Sequence, residues 1–127
     1  MRVTLKDLVI KATTEPPDNV TYEVTGERVT VGRGEENGVV IPREDYQDYG
    51  NAAFSLLLKS VSREHCVLYQ RGRRLYVEDT GSNNGTYVSR KKWFSQDRRI
   101  SKVEALTRLK NGDKLMLGDY DLEVVLE

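Results

Sequence analysis

Apolar and polar residues alternate with a period of two in several short runs of this chain. The clearest lie in the stretch Ser62–Val88, SREHCVLYQRGRRLYVEDTGSNNGTYV. Val67 and Tyr69 alternate with Leu68 and Gln70, and Leu75 and Val77 with Tyr76 and Glu78. Gly72-Arg73 punctuates the middle. This pattern predicts a β-hairpin. The start of the first strand and the end of the second lie at one end of an antiparallel pair. The polar segments Ser62-Arg63-Glu64-His65 and Thr80-Gly81-Ser82-Asn83-Asn84-Gly85 are therefore expected to meet in space.

The rest of the chain reads as further short strands. Val3, Leu5, Leu8 and Ile10 suggest a first strand, broken by Glu15-Pro16-Pro17-Asp18. Val20, Tyr22 and Val24 mark a second, and Val29-Thr30-Val31 a third. Gly32-Arg33-Gly34-Glu35-Glu36-Asn37-Gly38 reads as a loop needing unusual backbone angles. Val39-Val40-Ile41 is a short strand stopped by Pro42. Thr86-Tyr87-Val88 is another, and a last hairpin spans Leu109 to Leu126, with turns at Asn111-Gly112-Asp113 and Gly118-Asp119. Ala52 to Lys59 suits a short helix or a strand, and periodicity does not choose. Residues 43–59 are read as an insertion packing on the domain edge. Residues 89–108 are read as an extended basic loop containing Trp93 and Phe94. Short, turn-marked strands without a long amphipathic helix predict an all-β sandwich of two antiparallel sheets, with its sites on the connecting loops.

At 127 residues, a single domain spanning 1–127 is expected. Twenty basic residues balance twenty acidic ones, so bulk charge favours neither nucleic acid nor membrane, leaving only a local patch to do so. No apolar stretch reaches the length of a membrane span, and the charged N-terminus does not read as a secretory signal. A lone cysteine, Cys66, excludes an internal disulfide, and one Cys with one His is too few for a metal site. The expectation is a cytoplasmic protein, or a cytoplasmic piece of a larger one, with no cofactor and no metal.

Four motifs occur in order: Val31-Gly32-Arg33, Ser62-Arg63-Glu64-His65, Gly81-Ser82-Asn83-Asn84-Gly85-Thr86 and Leu109-Lys110-Asn111-Gly112-Asp113-Lys114-Leu115. Each is common alone, but the ordered set, flanked by strand patterns, resembles the landmarks of the forkhead-associated (FHA) domain over roughly Val20 to Glu127. The resemblance implies an antiparallel β-sandwich of about eleven strands with Greek-key-type connections, FHA-like or SMAD-like. It also implies a non-enzymatic module that binds phosphothreonine peptides through its loops. Arg33 and Ser62 would be the phosphate contacts and Arg63 a supporting cation. Asn84 would hold the peptide main chain beyond the phosphothreonine, with Asn83 lining the same groove. Gly32, His65 and Gly85 would support the site, His65 by bracing its loop. The partner would be a phosphothreonine-containing protein, in the setting of a serine/threonine kinase or its substrate.

The chemistry of these side chains agrees. A phosphothreonine carries nearly two negative charges and three strong acceptors. A forked guanidinium, a hydroxyl and side-chain amides are suitable donors. Three charge-assisted hydrogen bonds at about 1.5–3 kcal/mol each sum to several kcal/mol. Peptide ordering takes part of that back, so flanking contacts must contribute. The sequence departs from the family pattern in the long gap from Arg33 to Ser62. Ser89-Arg90 also stands where an Asn-Gly turn often follows Val88 in the family.

Other readings of the same residues stand beside this one. Ser62 and His65 form a nucleophile–base pair only if the base can reach the hydroxyl, with Glu64 or Asp79 as orienting acid. The domain could share the fold without reading phosphate. The basic run Arg90-Lys91-Lys92-Trp93 with Arg98-Arg99 has the composition of a single-stranded nucleic-acid binder using residues 90–99, or of a solvated loop.

Overall fold

A computed structural model describes all of residues 1–127. Eleven strands form two sheets, bearing out the all-β sandwich. The strands are β1 (Val3–Asp7), β2 (Thr21–Val24), β3 (Arg28–Gly32), β4 (Val39–Val40), β5 (Cys66–Arg71), β6 (Arg74–Asp79), β7 (Thr86–Lys91), β8 (Arg98–Lys102), β9 (Thr107–Leu109), β10 (Lys114–Leu117) and β11 (Tyr120–Leu126). One sheet has the order β2-β1-β11-β10-β7-β8 and the other β4-β3-β5-β6-β9. All pairings are antiparallel except β3 with β4, a two-residue parallel contact. The inward residues of both sheets, among them Leu5, Val31, Leu68, Val77, Leu115 and Leu122, share one core.

The expected central hairpin is β5–β6, with Arg71 opposite Arg74 around Gly72, which takes φ +62°. Three readings are corrected. Leu8 and Ile10 do not extend the first strand, because helix α1 (Leu8–Thr13) begins there. Residues 89–108 are not an extended loop: they complete β7 and carry β8 and β9. Residues 43–59 hold a 3-10 turn (Glu44–Tyr46) and helix α2 (Ala52–Leu58), and do more than decorate an edge. Phe54 is 1% exposed within the core, against Tyr49 and Tyr120 at ring separations of 5.2 and 6.1 Å. Asn51 caps α2 by accepting from the Phe54 N–H at 3.1 Å.

Asp7 explains the early helix. Its carboxylate accepts from the Ile10 N–H at 2.8 Å, which caps α1, and from the hydroxyls of Tyr22 and Tyr120, each at 2.6 Å. Burial pushes its carboxyl pKa up, and the three donors offset this only in part. A carboxyl with a raised folded pKa holds its proton to higher pH than the unfolded chain does. Its contribution to stability is therefore fully present below the ordinary carboxyl value and is lost as pH rises through the raised one. Asp7→Ala is expected to cost roughly 3 kcal/mol or more, measured by urea unfolding, because three donors lose their acceptor. Asp7→Asn should keep the fold and lose this pH dependence. No helix of the chain is long and apolar enough to cross a membrane.

Candidate functional site

The loops expected to converge do so at one end of the sandwich. The Arg33 N–H donates to the Ser62 carbonyl at 3.1 Å, and the Gly34 N–H to the Arg63 carbonyl at 2.9 Å. The Ser62 hydroxyl oxygen accepts from the Asn83 N–H at 3.0 Å. Arg33, Ser62, Arg63, Asn83 and Asn84 thus occupy one rim.

Arg33 is exposed, yet its guanidinium is anchored: Nε donates to the Val61 carbonyl oxygen. The terminal nitrogens make no other hydrogen bond or ion pair and face outward as a fork. Asn84 is steered by the neighbouring carbonyl, its Nδ2 donating to Ser60 O at 3.0 Å, which leaves Oδ1 as a free acceptor. Ser60 in turn accepts from the Asp119 N–H at 2.8 Å and donates to Leu57 O at 2.6 Å. Carbonyls 60 and 61, directly after residues 43–59, therefore orient two side chains of the rim, Asn84 and Arg33. The insertion also walls one flank. Gln47 and Leu58 join Arg33, Gly34, Pro42 and Arg63 around a shallow hollow of about 460 Å³.

The glycines beside Arg33 serve a different purpose from the one read in the sequence. Neither Gly32 nor Gly34 has a positive φ. A Cβ on Gly32 would overlap the Arg63 carbonyl oxygen and come within 2.9 Å of Ser62 O, so the residue allows two backbones to touch. Gly85, by contrast, takes φ +82° and turns the chain into β7. Its carbonyl accepts from the Gly118 N–H at 2.9 Å.

His65 is completely buried beneath the rim. Its Nδ1 accepts from the Ser62 N–H at 3.0 Å, so Nε2 carries the proton and donates to Gly85 O at 2.9 Å. The ring bridges the two loops. Burial lowers its pKa, and the Gly85 carbonyl and the charge of Asp79 recover only part of that, so it stays neutral. Both nitrogens face backbone groups, which leaves no base for the Ser62 hydroxyl and argues against a nucleophile–base pair. The Ser62 backbone N–H is taken by His65, so the hydroxyl proton is what Ser62 has left to offer.

Arg63 is less free than Arg33, with Nη2 3.2 Å from Glu36 Oε2 in an exposed pair. Such a pair is weak and yields to a stronger anion. The Asn83 side chain makes no hydrogen bond. Sequence reasoning considers Asp79 only as an orienting acid and misses its observed role, which is to organise the Asn83-Asn84 loop. It accepts from the N–H groups of Gly81 (2.9 Å) and Ser82 (3.1 Å) and from the hydroxyls of Ser82 (2.5 Å) and Thr86 (2.7 Å). Desolvation raises its pKa, but these donors outweigh it and hold the carboxyl below its ordinary value. An Asp two residues before a glycine, ahead of a Ser, is an Asx-turn signal that the sequence did carry. No group of three or more His, Cys, Asp or Glu side chains is gathered to hold a metal.

The fold is an eleven-stranded sandwich with an arginine, a serine and two asparagines gathered on its loops. The model of the FHA domain matches residues 29–118, and the chain belongs to that family. It is 39% identical over 101 residues to the FHA domain-containing protein FhaB of Mycobacterium tuberculosis, covering 80% of this chain and 54% of that protein. The chain thus spans about half the length of this relative. Among solved structures it superposes on Mycobacterium tuberculosis EmbR in complex with a low-affinity phosphopeptide, with a TM-score of 0.65 at 17% identity, over 99% of this chain and 24% of the other. It also superposes on an FHA domain studied for phosphothreonine-dependent interactions, with a TM-score of 0.63 at 20% identity, over 100% and 98% of the two chains. At these identities the likeness establishes the fold.

Proposed function

We propose that this chain is a phosphothreonine-dependent peptide-binding module, recruiting partner proteins after a serine/threonine kinase has marked them and releasing them on dephosphorylation. The observation that carries this reading is the anchored Arg33 fork beside the Ser62 hydroxyl, both aimed from one rim by backbone carbonyls and N–H groups. The fork and the hydroxyl would share the phosphate oxygens, with Arg63 turning from Glu36 to add charge. Asn84 Oδ1 would accept a peptide N–H beyond the phosphothreonine, and Asn83 would line the groove. Gly32, His65 and Gly85 would act by holding the two loops together. The family consists of interaction modules, and the EmbR structure contains a phosphopeptide, which supports the same ligand class here.

An oriented library of phosphothreonine peptides, with unphosphorylated copies, tests this directly. Ser62→Ala is expected to weaken the best peptide by about 1.5–3 kcal/mol in isothermal titration, the worth of one hydrogen bond to a charged group, and Asn84→Ala by about 0.5–1.5 kcal/mol, since its acceptor bond is neutral. Equal binding of phosphorylated and unphosphorylated copies would favour a domain that shares the fold without reading phosphate.

A further inference from the structure

The second concentration of chemistry lies at the opposite end of the molecule. Strand β7 starts next to Gly85 in the site and runs six residues away from it, about 17–20 Å at the rise of an extended chain. It pairs with β8 through Arg90 opposite Arg99 and Lys91 opposite Arg98. The connecting turn is closed by the Lys92 N–H donating to Asp97 O at 3.0 Å. At its apex Trp93 is 94% exposed and Phe94 68% exposed. Their rings contact each other edge to face, with centroids 5.4 Å apart, and neither belongs to the core. Two adjacent bare aromatics cost solvation unless something covers them.

The residues just behind the apex say what would cover them. Between positions 90 and 99 there are five basic residues and one acid, Asp97. Arg90 is neutralised by Asp113 at 2.6 Å. Arg98 is held by neutral partners, Ser89 and Gly112 O, and keeps its charge. Lys91, Lys92 and Arg99 have no acidic partner among the ion pairs of the chain. An open hollow of about 1310 Å³ beside the hairpin is lined by Lys91, Lys92, Arg98, Arg99 and Lys110, and its two acids, Asp113 and Glu123, are paired with Arg90 and Lys6. The acids that balance the total lie elsewhere, several of them (Glu35, Glu36, Glu44, Asp45, Asp48) around the phosphopeptide rim and the insertion.

We propose that the β7–β8 hairpin docks the domain on an anionic lipid surface, with Trp93 and Phe94 entering the interface and the cationic collar behind them meeting headgroup phosphates. Aromatic rings at the headgroup level, flanked by Lys and Arg that keep their charges in water, are the arrangement such an interface favours. Each collar cation near an anionic leaflet adds attraction, and the sum of charge over the whole chain does not enter. The pairing of the two rings speaks against single-stranded nucleic acid. Successive bases stack on parallel faces, whereas here the ring planes stand at 83° and each blocks an approach to the other. Docked by this tip, the molecule holds the Arg33 rim away from the lipid and open to a protein partner.

Trp93 is the only tryptophan of the chain and reports on its own surroundings. The full chain is titrated with vesicles of mixed phosphatidylglycerol and phosphatidylcholine, with pure phosphatidylcholine vesicles and with an oligothymidylate. Expected is a blue shift of Trp93 emission with the anionic vesicles alone, weakened by salt and quenched by lipids brominated at shallow acyl positions. In vesicle flotation, Trp93→Ala/Phe94→Ala and, separately, Lys91→Glu/Lys92→Glu should each reduce binding about tenfold or more. Neither pair lies in the core, and thermal melts should match the unaltered chain. Arg33→Ala should float like the unaltered chain, which separates this inference from the phosphopeptide reading. Absence of binding to anionic vesicles, binding unaffected by both double substitutions, or a spectral shift with oligothymidylate but not with lipid would each overturn it.

Discussion

Replacing Arg33 by alanine is expected to reduce phosphothreonine-peptide binding by about two orders of magnitude or more while leaving the domain folded. In the proposed complex the fork would supply two charge-assisted hydrogen bonds to one dianion, each worth about 1.5–3 kcal/mol. Every 1.4 kcal/mol is roughly tenfold in affinity. The cost to stability is small, because the side chain is exposed and loses one bond, from Nε to the Val61 carbonyl. Arg33→Lys sharpens the test. Lysine keeps the charge but has neither the anchoring Nε nor a second terminal nitrogen, so its donors radiate from one point instead of a planar fork. It is expected to recover only a minor fraction of the affinity, with a melting temperature close to that of the unaltered protein. Isothermal titration of the three proteins against one phosphopeptide measures this. Undiminished binding by Arg33→Ala would remove the proposed function.

The meeting of the Ser62 and Asn83 loops is legible because strand alternation places them at one end of a hairpin, whereas the place of Arg33 beside Ser62 follows only from the family resemblance of the ordered motifs. The alternation rule detects strands that bury one face. It finds β5, β6 and β2, and it misses β8, whose residues Arg98–Lys102 lie at a sheet edge and are largely exposed on both faces. The same limit turned residues 89–108 into a loop. Helix α1 was misread for a different reason. Leu8, Val9 and Ile10 carry strand propensity, and the cap that overrides it is a buried aspartate whose acceptors are satisfied by tyrosines 15 and 113 residues away in sequence.

Within the site, the donor-bearing side chains could be read from their chemistry, but their supports could not. Which backbone carbonyl anchors a guanidinium depends on the path of the whole chain. So does the purpose of Gly32, which permits a contact with Arg63 rather than an unusual φ. Net charge was the least informative quantity. Zero is a sum, and the fold separates its terms, placing a basic hairpin at one end and much of the acid near the other.

His65 is expected to be the residue whose loss costs the site the most structure. Truncation to alanine leaves a cavity, strands the Ser62 N–H and removes one of the two donors to the Gly85 carbonyl, which keeps the Gly118 N–H, for a loss of about 3–5 kcal/mol in denaturant unfolding. His65→Phe separates the causes. It fills most of the volume but restores neither bond, and is expected to be intermediate in stability yet nearly as poor as alanine in phosphopeptide affinity. The bridge is what sets the spacing between Ser62 and Asn84. The ring also makes stability depend on pH in a defined direction. Its folded pKa is lowered below the ordinary 6.5, chiefly by burial, so in acid the unfolded chain takes up a proton that the folded chain resists. The stability it contributes is present above the ordinary histidine range and declines as pH falls below it. Protonation would set an Nδ1–H against the Ser62 N–H, and the bridge would open at the rim itself. Asp7 acts with the opposite sign over its own range, so the two are distinguished by repeating the titration in Asp7→Asn. There the acid loss should become steeper, whereas in His65→Phe the part just below the ordinary histidine range should disappear, leaving the loss at lower pH that carboxyls held down by donors, such as Asp79, still contribute. An acid limb unchanged in His65→Phe would mean that another group sets it and that the bridge is not what protonation breaks.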